Sequence, residues 1–179
     1  KRLLVWKAST YELYTVLRGI SPESFTGCIA SLPTFLNKVV VGRQDGSVEI
    51  WNVSSAKMVY TIMPPSATYG AVTALEPTPA LGLVAIAYEQ GPVLIHDVKA
   101  DQTVIALNAS SGLAVTSISF RTDGMGAGDD GRKSGVMATA STQSGDITLW
   151  DLNNGGRKAG TLRAAHANPS PNYGGGVSK

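Results

Sequence analysis

A chain of 179 residues is long enough to bury a hydrophobic core, and its 16% charged residues, 20 glycines and 9 prolines are typical of short strands and turns. The formal net charge of +2 gives no reason to expect a strong nonspecific grip on nucleic acid, and the longest apolar run, residues 81–88, is too short to cross a bilayer. Cys28 is the only cysteine, which excludes an internal disulfide framework and a cysteine-based metal cluster.

The first half of the chain contains two predicted strand pairs. One is a pair of β-strands at residues 3–7 and 11–17. Residues 36–52 predict a β-hairpin, in which Val39, Val40 and Val41 form a β-branched run. Asp45 and Gly46 both tolerate positive φ, so we expect a two-residue type I′ turn between its strands.

Parts of this hairpin recur along the chain. A turn glycine lies five residues before an aromatic or imidazole anchor, and a short polar residue follows the anchor. The turn glycines are Gly46, Gly91 and Gly145, the anchors are Trp51, His96 and Trp150, and the polar residues are Asn52, Asp97 and Asp151. Trp6 fits the same template, so the anchors at 6, 51, 96 and 150 are spaced by 45, 45 and 54 residues. A period in the forties that closes on a Trp-Asp-like dipeptide indicates a WD-repeat β-propeller.

We therefore predict an all-β chain, a segment of a WD-repeat β-propeller. It should have three complete four-stranded blades, over residues 27–62, 70–107 and 113–163, preceded by the outer two strands of another blade in residues 1–18. A glycine-rich insertion occupies residues 124–135, and residues 164–179 should form a loop leading to the next blade. Since propellers close with roughly four to eight blades, we expect a segment of a longer propeller chain.

The apolar pattern predicts strands that are covered on both faces. A sheet that is wet on one face alternates between apolar and polar residues. Residues 39–41 and 83–87 do not alternate. Such strands are expected where each blade is packed between two neighbours.

The sequence offers little catalytic chemistry. Residues 126–134 nearly spell a phosphate-binding loop, but Arg132 separates the last glycine from Lys133, a strand follows, and Asp129 and Asp130 would repel phosphate. There are two histidines, of which His96 takes a tryptophan position, and no carboxylate pair or metal-spaced cluster occurs. We expect no catalytic, cofactor-binding or metal-binding residues.

The repeat positions are instead predicted to be structural. In WD repeats a His, a Ser or Thr, the turn Asp and the Trp can form a buried hydrogen-bond network. Asp45 is the only turn aspartate, because Gln90 and Ser144 take the equivalent places, so this network should be partial. Asp45 and Trp51 are predicted to support the integrity of the fold.

Binding is the function that exposed propeller loops usually serve. The candidate surfaces are the insertion at 124–135, the connection at 63–69 and the basic tail from 152 to 179, which holds Arg157, Lys158, Arg163 and Lys179. Each is more often an ordinary loop than a contact site.

Several stretches carry a resemblance to a known family. Residues 36–53, 71–75, 93–98 and 116–124, the last reading Thr-Ser-Ile-Ser-Phe-Arg-Thr-Asp-Gly, resemble the WD-repeat, tandem β-propeller subunit of the UTP-B subcomplex in the eukaryotic small-subunit processome. The resemblance implies a non-catalytic scaffold in the nucleus and nucleolus that assembles the processome for pre-ribosomal RNA processing. Its implied partners are other subunits of a large ribonucleoprotein, with pre-ribosomal RNA or small nucleolar RNA nearby, and no cofactor, small-molecule substrate or membrane.

Two alternatives stay open. One is a WD-repeat adaptor or peptide-binding substrate receptor in another intracellular complex. The other is a propeller enzyme or a nucleotide-binding protein, which the near match at residues 126–134 alone supports.

Overall fold

The computed structural model of the chain describes residues 2–19, 24–78, 82–108, 113–121 and 135–163. The strands in this part of the chain are β1 (Leu3–Trp6), β2 (Leu13–Leu17), β3 (Phe25–Ser31), β4 (Lys38–Arg43), β5 (Val48–Asn52), β6 (Lys57–Ile62), β7 (Val72–Pro77), β8 (Leu83–Tyr88), β9 (Val93–Asp97), β10 (Gln102–Leu107), β11 (Ser117–Phe120), β12 (Val136–Ala140), β13 (Ile147–Asp151) and β14 (Arg157–Leu162). Two short 3-10 helices, Ala67–Tyr69 and Leu152–Asn154, lie between strands.

The strands form antiparallel sheets whose spatial order follows the chain. Strands β1 and β2 pair as a hairpin, which we call the N-terminal hairpin. Strands β3–β6, β7–β10 and β11–β14 form three four-stranded sheets, the first, second and third blades. The predicted all-β architecture with four-stranded propeller blades is confirmed.

The ends of β1 and β2 differ by at most two residues from the predicted strands at 3–7 and 11–17. The clearest difference is at β2, which begins at Leu13 because Tyr11, predicted to be in the strand, has φ 57 and belongs to the preceding turn. Residues 124–134 of the predicted insertion and the predicted terminal loop at 164–179 lie outside the described residues.

Apolar side chains fill the spaces between successive blades. Val40, Val48 and Ile50 of the first blade pack with Val84 and Ile86 of the second. On the opposite side, the first blade buries other side chains against the N-terminal hairpin, namely Val39, Val41 and Trp51. Full burial of a valine or isoleucine contributes roughly 1.5–3 kcal/mol, so this packing is a main source of cohesion.

The second blade shows the same alternation. Its Ala85 and Ala87 pack with Met137 and Trp150 of the third blade, on the face opposite to Val84 and Ile86. The prediction that residues 39–41 and 83–87 are covered on both faces is confirmed. The blades are therefore stacked side by side.

Hydrogen bonds also join the innermost strands of neighbouring blades. The Cys28 thiol donates to the Val72 carbonyl with an Sγ–O distance of 3.5 Å, and the Thr73 hydroxyl donates to the Val115 carbonyl with an Oγ1–O distance of 2.6 Å. Cys28 and Thr73 lie 45 residues apart, one repeat period. The contact between innermost strands thus recurs with the period of the sequence.

Candidate functional site

The turn between β4 and β5 differs from the predicted type I′ turn. The Arg43 amide donates to the Ser47 carbonyl at 3.0 Å and the Gly46 amide donates to the Arg43 carbonyl at 3.2 Å, so the loop has three residues. Gly46 has φ 83, whereas Asp45 has no positive φ. The type I′ prediction is wrong: this is a reverse turn followed by a left-handed glycine.

Asp45 holds this turn through its carboxylate. Its Oδ1 accepts hydrogen bonds from the Ser47 amide at 3.0 Å and from the Ser47 hydroxyl at 2.6 Å. The hydroxyl bond is the main cause that lowers the pKa of Asp45. An aspartate that is tied two residues ahead in this way is an Asx turn, which explains the residue type at position 45.

All three turn glycines adopt backbone conformations that favour glycine. Gly91 has φ 114 and Gly145 has φ 70. Two of them also lie close to other residues of the chain. A Cβ on Gly46 would stand 2.7 Å from the Gly70 carbonyl oxygen, and one on Gly91 would stand 2.9 Å from Cδ1 of Tyr69. The recurrence of glycine therefore has a conformational cause, with a steric one added in two of the turns.

The anchor residues have contrasting surroundings. Trp51 and Trp150 are 5% and 3% exposed, whereas Trp6 on β1 is 57% exposed. His96 is buried on β9, and its Nε2 lies 3.2 Å from Oδ1 of Asp101. The structure thus places the anchors at matching points of successive sheets, with each indole or imidazole in a different polar environment.

Trp51 takes part in a buried charged group. Its indole Nε1–H donates to Oε2 of Glu49 at 2.9 Å, and Oε1 of Glu49 lies 3.2 Å from Nη1 of Arg43. The side chains of Arg43 and Glu49 are only 11% and 12% exposed. Nη1 is in ion contact but outside hydrogen-bond alignment, and Nε has no hydrogen-bond partner among the described residues. The carboxylate therefore has to balance the charge of Arg43 and accept the indole proton together.

Trp150 is satisfied by a neutral group instead. Its Nε1–H donates to Oγ1 of Thr139 on β12 at 2.9 Å, and both side chains are buried. Beside this pair lies a cleft of about 100 Å³, lined among others by Ser141, Asp146 and Lys158. The cleft is small and is lined by polar and apolar side chains alike, with room for a few water molecules.

The short polar residue after each anchor caps the turn that leads to the outer strand. Oδ1 of Asn52 accepts from the Ser55 amide at 3.1 Å, and Oδ1 of Asp97 accepts from the Lys99 and Ala100 amides at 2.8 and 2.9 Å. Oδ1 of Asp151 accepts from the Asn153 amide at 3.0 Å. Hydrogen bonds from the Ala100 and Lys99 amides lower the pKa of Asp97. These side-chain oxygens act as backbone caps, as those of short polar residues commonly do.

Two further features, neither of them predicted from the sequence, recur after the anchors, the first at five positions and the second at eight or nine. The residue five positions after each anchor has a positive φ: Tyr11 57, Ala56 55, Asp101 52 and Gly155 67. A β-bulge between the third and outer strands then leaves one outer-strand residue unpaired. These bulge residues are Tyr14, Val59, Val104 and Ala159. The positive-φ residues are of four different types, and the bulge residues are one tyrosine, two valines and one alanine, so residue type carried little signal and the spacing was the usable one.

A tyrosine of the first blade bonds to the turn between β9 and β10 of the second blade. The Tyr60 hydroxyl donates to the Val98 carbonyl. Burial, together with the nearby carboxylates of Asp101 and Asp97, raises the pKa of Tyr60 to about 12. The phenol is therefore a neutral donor across the physiological pH range.

The part of the chain that the structure describes contains neither of two other kinds of site. No group of three His, Cys, Asp or Glu side chains in this part of the chain could hold a metal ion. No helix in the same part is long and apolar enough to span a membrane. The near match to a phosphate loop at residues 126–134 lies outside the described residues.

Comparisons with known proteins point to one family. A family model described as the WDR36/Utp21 first beta-propeller matches residues 1–178. The chain is 38% identical to human WD repeat-containing protein 36 over 150 residues, and 29% identical to the U3 small nucleolar RNA-associated protein 21 homolog of Schizosaccharomyces pombe over 157 residues. These alignments cover 84% and 85% of this chain but only 15% and 16% of the relatives.

Solved structures agree on the fold. A computationally designed protein, Ika8, superimposes with a TM-score of 0.64 at 19% identity, covering 89% of this chain and 42% of that one. U3-55K superimposes with a TM-score of 0.64 at 19% identity, covering 82% of this chain and 41% of that one. At this identity the likeness concerns the fold alone.

Proposed function

The chain belongs to the WDR36/Utp21 first beta-propeller family, and from this membership we propose that it is part of a non-catalytic scaffold subunit in ribosome biogenesis. In this proposal the whole protein helps to assemble the small-subunit processome for pre-ribosomal RNA processing. The observation that carries it is the family match over residues 1–178, together with a relative whose name records association with U3 small nucleolar RNA.

The arrangement of the polar groups also supports a structural role. The anchors Trp51, His96 and Trp150 each have a side-chain partner on the same sheet or in its adjoining turn. Asp45, Asp97 and Asp151 are engaged with backbone amides. We propose that all the repeat positions, including Trp6 and the turn glycines, serve the fold and that the blade limits at 27–62, 70–107 and 113–163 delimit the units that carry it.

The proposed partners and location follow from the same membership. We propose that the whole protein resides in the nucleus and nucleolus, bound to other protein subunits of a large ribonucleoprotein, with pre-ribosomal RNA or small nucleolar RNA nearby. The modest net charge of +2 favours protein contacts over a nonspecific RNA grip for this segment.

Affinity purification of the intact protein tests the proposal. The full-length protein with a tag at one terminus should recover U3 small nucleolar RNA, pre-ribosomal RNA and processome proteins, measured by reverse transcription and mass spectrometry. A second tagged WD-repeat protein of similar abundance serves as the control. If U3 RNA and pre-ribosomal proteins are no more enriched than in the control, the proposed function is wrong.

A further inference from the structure

An exposed apolar strip runs along the outer edge of the first blade. Strand β6 is the outermost strand of its sheet among the described residues. Its Met58 and Val59, and Met63 directly after it, are exposed large hydrophobic residues. We call these three residues the β6 rim strip. Tyr14 of the N-terminal hairpin borders the turn that leads into β6, since its hydroxyl lies 3.4 Å from Oγ of Ser54.

The β-bulge in β6 places Val59 at the outer edge of the blade. Pairing with β5 passes from Trp51–Met58 to Ile50–Tyr60, so Val59 has no cross-strand partner on that side. Val59 is 49% exposed, and Val104, the equivalent bulge residue of the second blade, is 45% exposed. Because β-bulges redirect side chains, the exposure of Val59 follows from the backbone geometry of the blade.

The outer edge of β6 exposes more large hydrophobic residues than those of the other two blades. Natural sheets protect edge strands with charged residues, because an edge offers unpaired N–H and C=O groups to other chains. Strand β14 begins with Arg157 and Lys158 and has one exposed large hydrophobic residue, Leu162. Strand β10 has no charged residue, but Val104 is its one exposed large hydrophobic residue. From Ile50 to Leu75 the sequence contains one charged residue, Lys57, and no acidic one. The strip is therefore apolar with a single cation at the start of the strand.

We propose that the β6 rim strip docks an extended segment of a partner protein. Apolar side chains of that segment pack on the three strip residues, its backbone pairs with the free edge of β6, and a carboxylate at one end meets Lys57. Two of the three strip residues are methionines, whose flexible thioethers adapt to varied partners. A protein segment fits the edge, whereas RNA would need more cations than the one present. The partner class rests on the proposed scaffold function.

Site-specific photo-crosslinking tests the docking directly. A photoreactive amino acid replaces Val59 in the tagged full-length protein, and the matched control replaces Val104. We expect one discrete protein adduct from position 59 and none from position 104, mapped by mass spectrometry to an apolar segment with an Asp or Glu. No adduct from 59, the same adduct from both positions, an RNA adduct, or a crosslink within the same chain would each overturn the proposal.

A pair of lysine substitutions provides the second readout. Val59→Lys puts a charge in the strip, so recovery of the crosslinked partner should fall about tenfold or more, while Val104→Lys leaves it unchanged. Both substitutions are at exposed positions and should leave the unfolding midpoint in place. Equal recovery in both variants would refute the docking. Recovery of U3 RNA by the wild-type protein is scored separately, so the proposed function can fail while the docking holds, and the reverse.

Discussion

The first and third blades hold a tryptophan at the same repeat position and satisfy it in opposite ways. In the first blade Trp51 donates to Glu49, which is also the counter-ion of the nearly buried Arg43. In the third blade Trp150 donates to the neutral hydroxyl of Thr139. The repeat thus specifies a buried ring, while each blade supplies its own acceptor for the indole proton.

Truncation of the rings tests what the two blades share. Trp51→Ala and Trp150→Ala should each lower the free energy of unfolding by about 3–5 kcal/mol, because each removes a buried aromatic ring and leaves a cavity. Trp6→Ala is the matched control, and at an exposed position it should change stability by about 0.5 kcal/mol or less. Urea unfolding of the 179-residue chain measures all three. If Trp51→Ala retained full stability, the placement of Trp51 inside the stack would be wrong.

Removal of Glu49 should show a difference in stability between the first blade and the third. Glu49→Ala leaves Arg43 without its counter-ion and Trp51 without its acceptor, so we expect a loss of about 3 kcal/mol, at the lower end for a broken buried pair. Thr148, two residues before Trp150, is the matching position in the third blade. Thr148→Ala should cost well under half as much, because it strands no buried charge. Equal losses in the two variants would mean that the charged group adds nothing to the first blade.

The sequence predicted the shared features of the blades better than their differences. Turn glycines five residues before the anchors specify where the hairpins lie, and the valine run specifies burial on both faces. The type I′ turn was predicted wrongly because Asp45 and Gly46 fit two turn types. The hydrogen bonds of Ser47 to the Asp45 carboxylate, seen only in three dimensions, favour the three-residue loop.

The acceptors of the two tryptophans could not be predicted because they depend on strand register. Val39 pairs with Trp51, 12 residues on, whereas Met137 pairs with Trp150, 13 residues on. The third blade has one additional residue in its turn, so alignment on the turn glycine matches Thr139 with Val40. The pairing instead places Thr139 where the first blade has Val41. Register moves side chains between sheet faces, and a one-residue error hides the partner.

An exchange of residues at this register position sharpens the comparison. Thr139→Val keeps the shape but removes the acceptor, leaving the indole N–H of Trp150 buried and unpaired, at a cost of about 1–3 kcal/mol. Val41→Thr in the first blade should also destabilise, because Trp51 already donates to Glu49 and the new hydroxyl is buried among apolar groups. Urea unfolding of both variants provides the measurement. A stabilising Val41→Thr would show that Trp51 can exchange acceptors, contrary to the charged arrangement.

The smallest expected effect concerns the turns that precede the two tryptophans. In the first blade Asp45 accepts from the amide of Ser47, and in the third blade Ser144 Oγ accepts from the amide of Asp146 at 3.1 Å, the same bond made by a neutral group. The Ser47 hydroxyl lowers the folded pKa of Asp45 below its ordinary value of 3.8. The stabilisation that the charged Asp45 carboxylate gives the fold is therefore fully present above that ordinary value and is lost as the pH falls through the folded pKa.

Asp45→Ser copies the third-blade turn and should remove this acid-dependent part of the stability. The difference in unfolding free energy from wild type should therefore be constant near neutral pH and shrink below pH 3.8. Thermal unfolding from pH 7 to pH 3 measures it, with Ser144→Ala as the pH-independent control. A difference that stays constant to the lowest pH would show that the charge of Asp45 plays no part and that its turn works like the neutral one in the third blade.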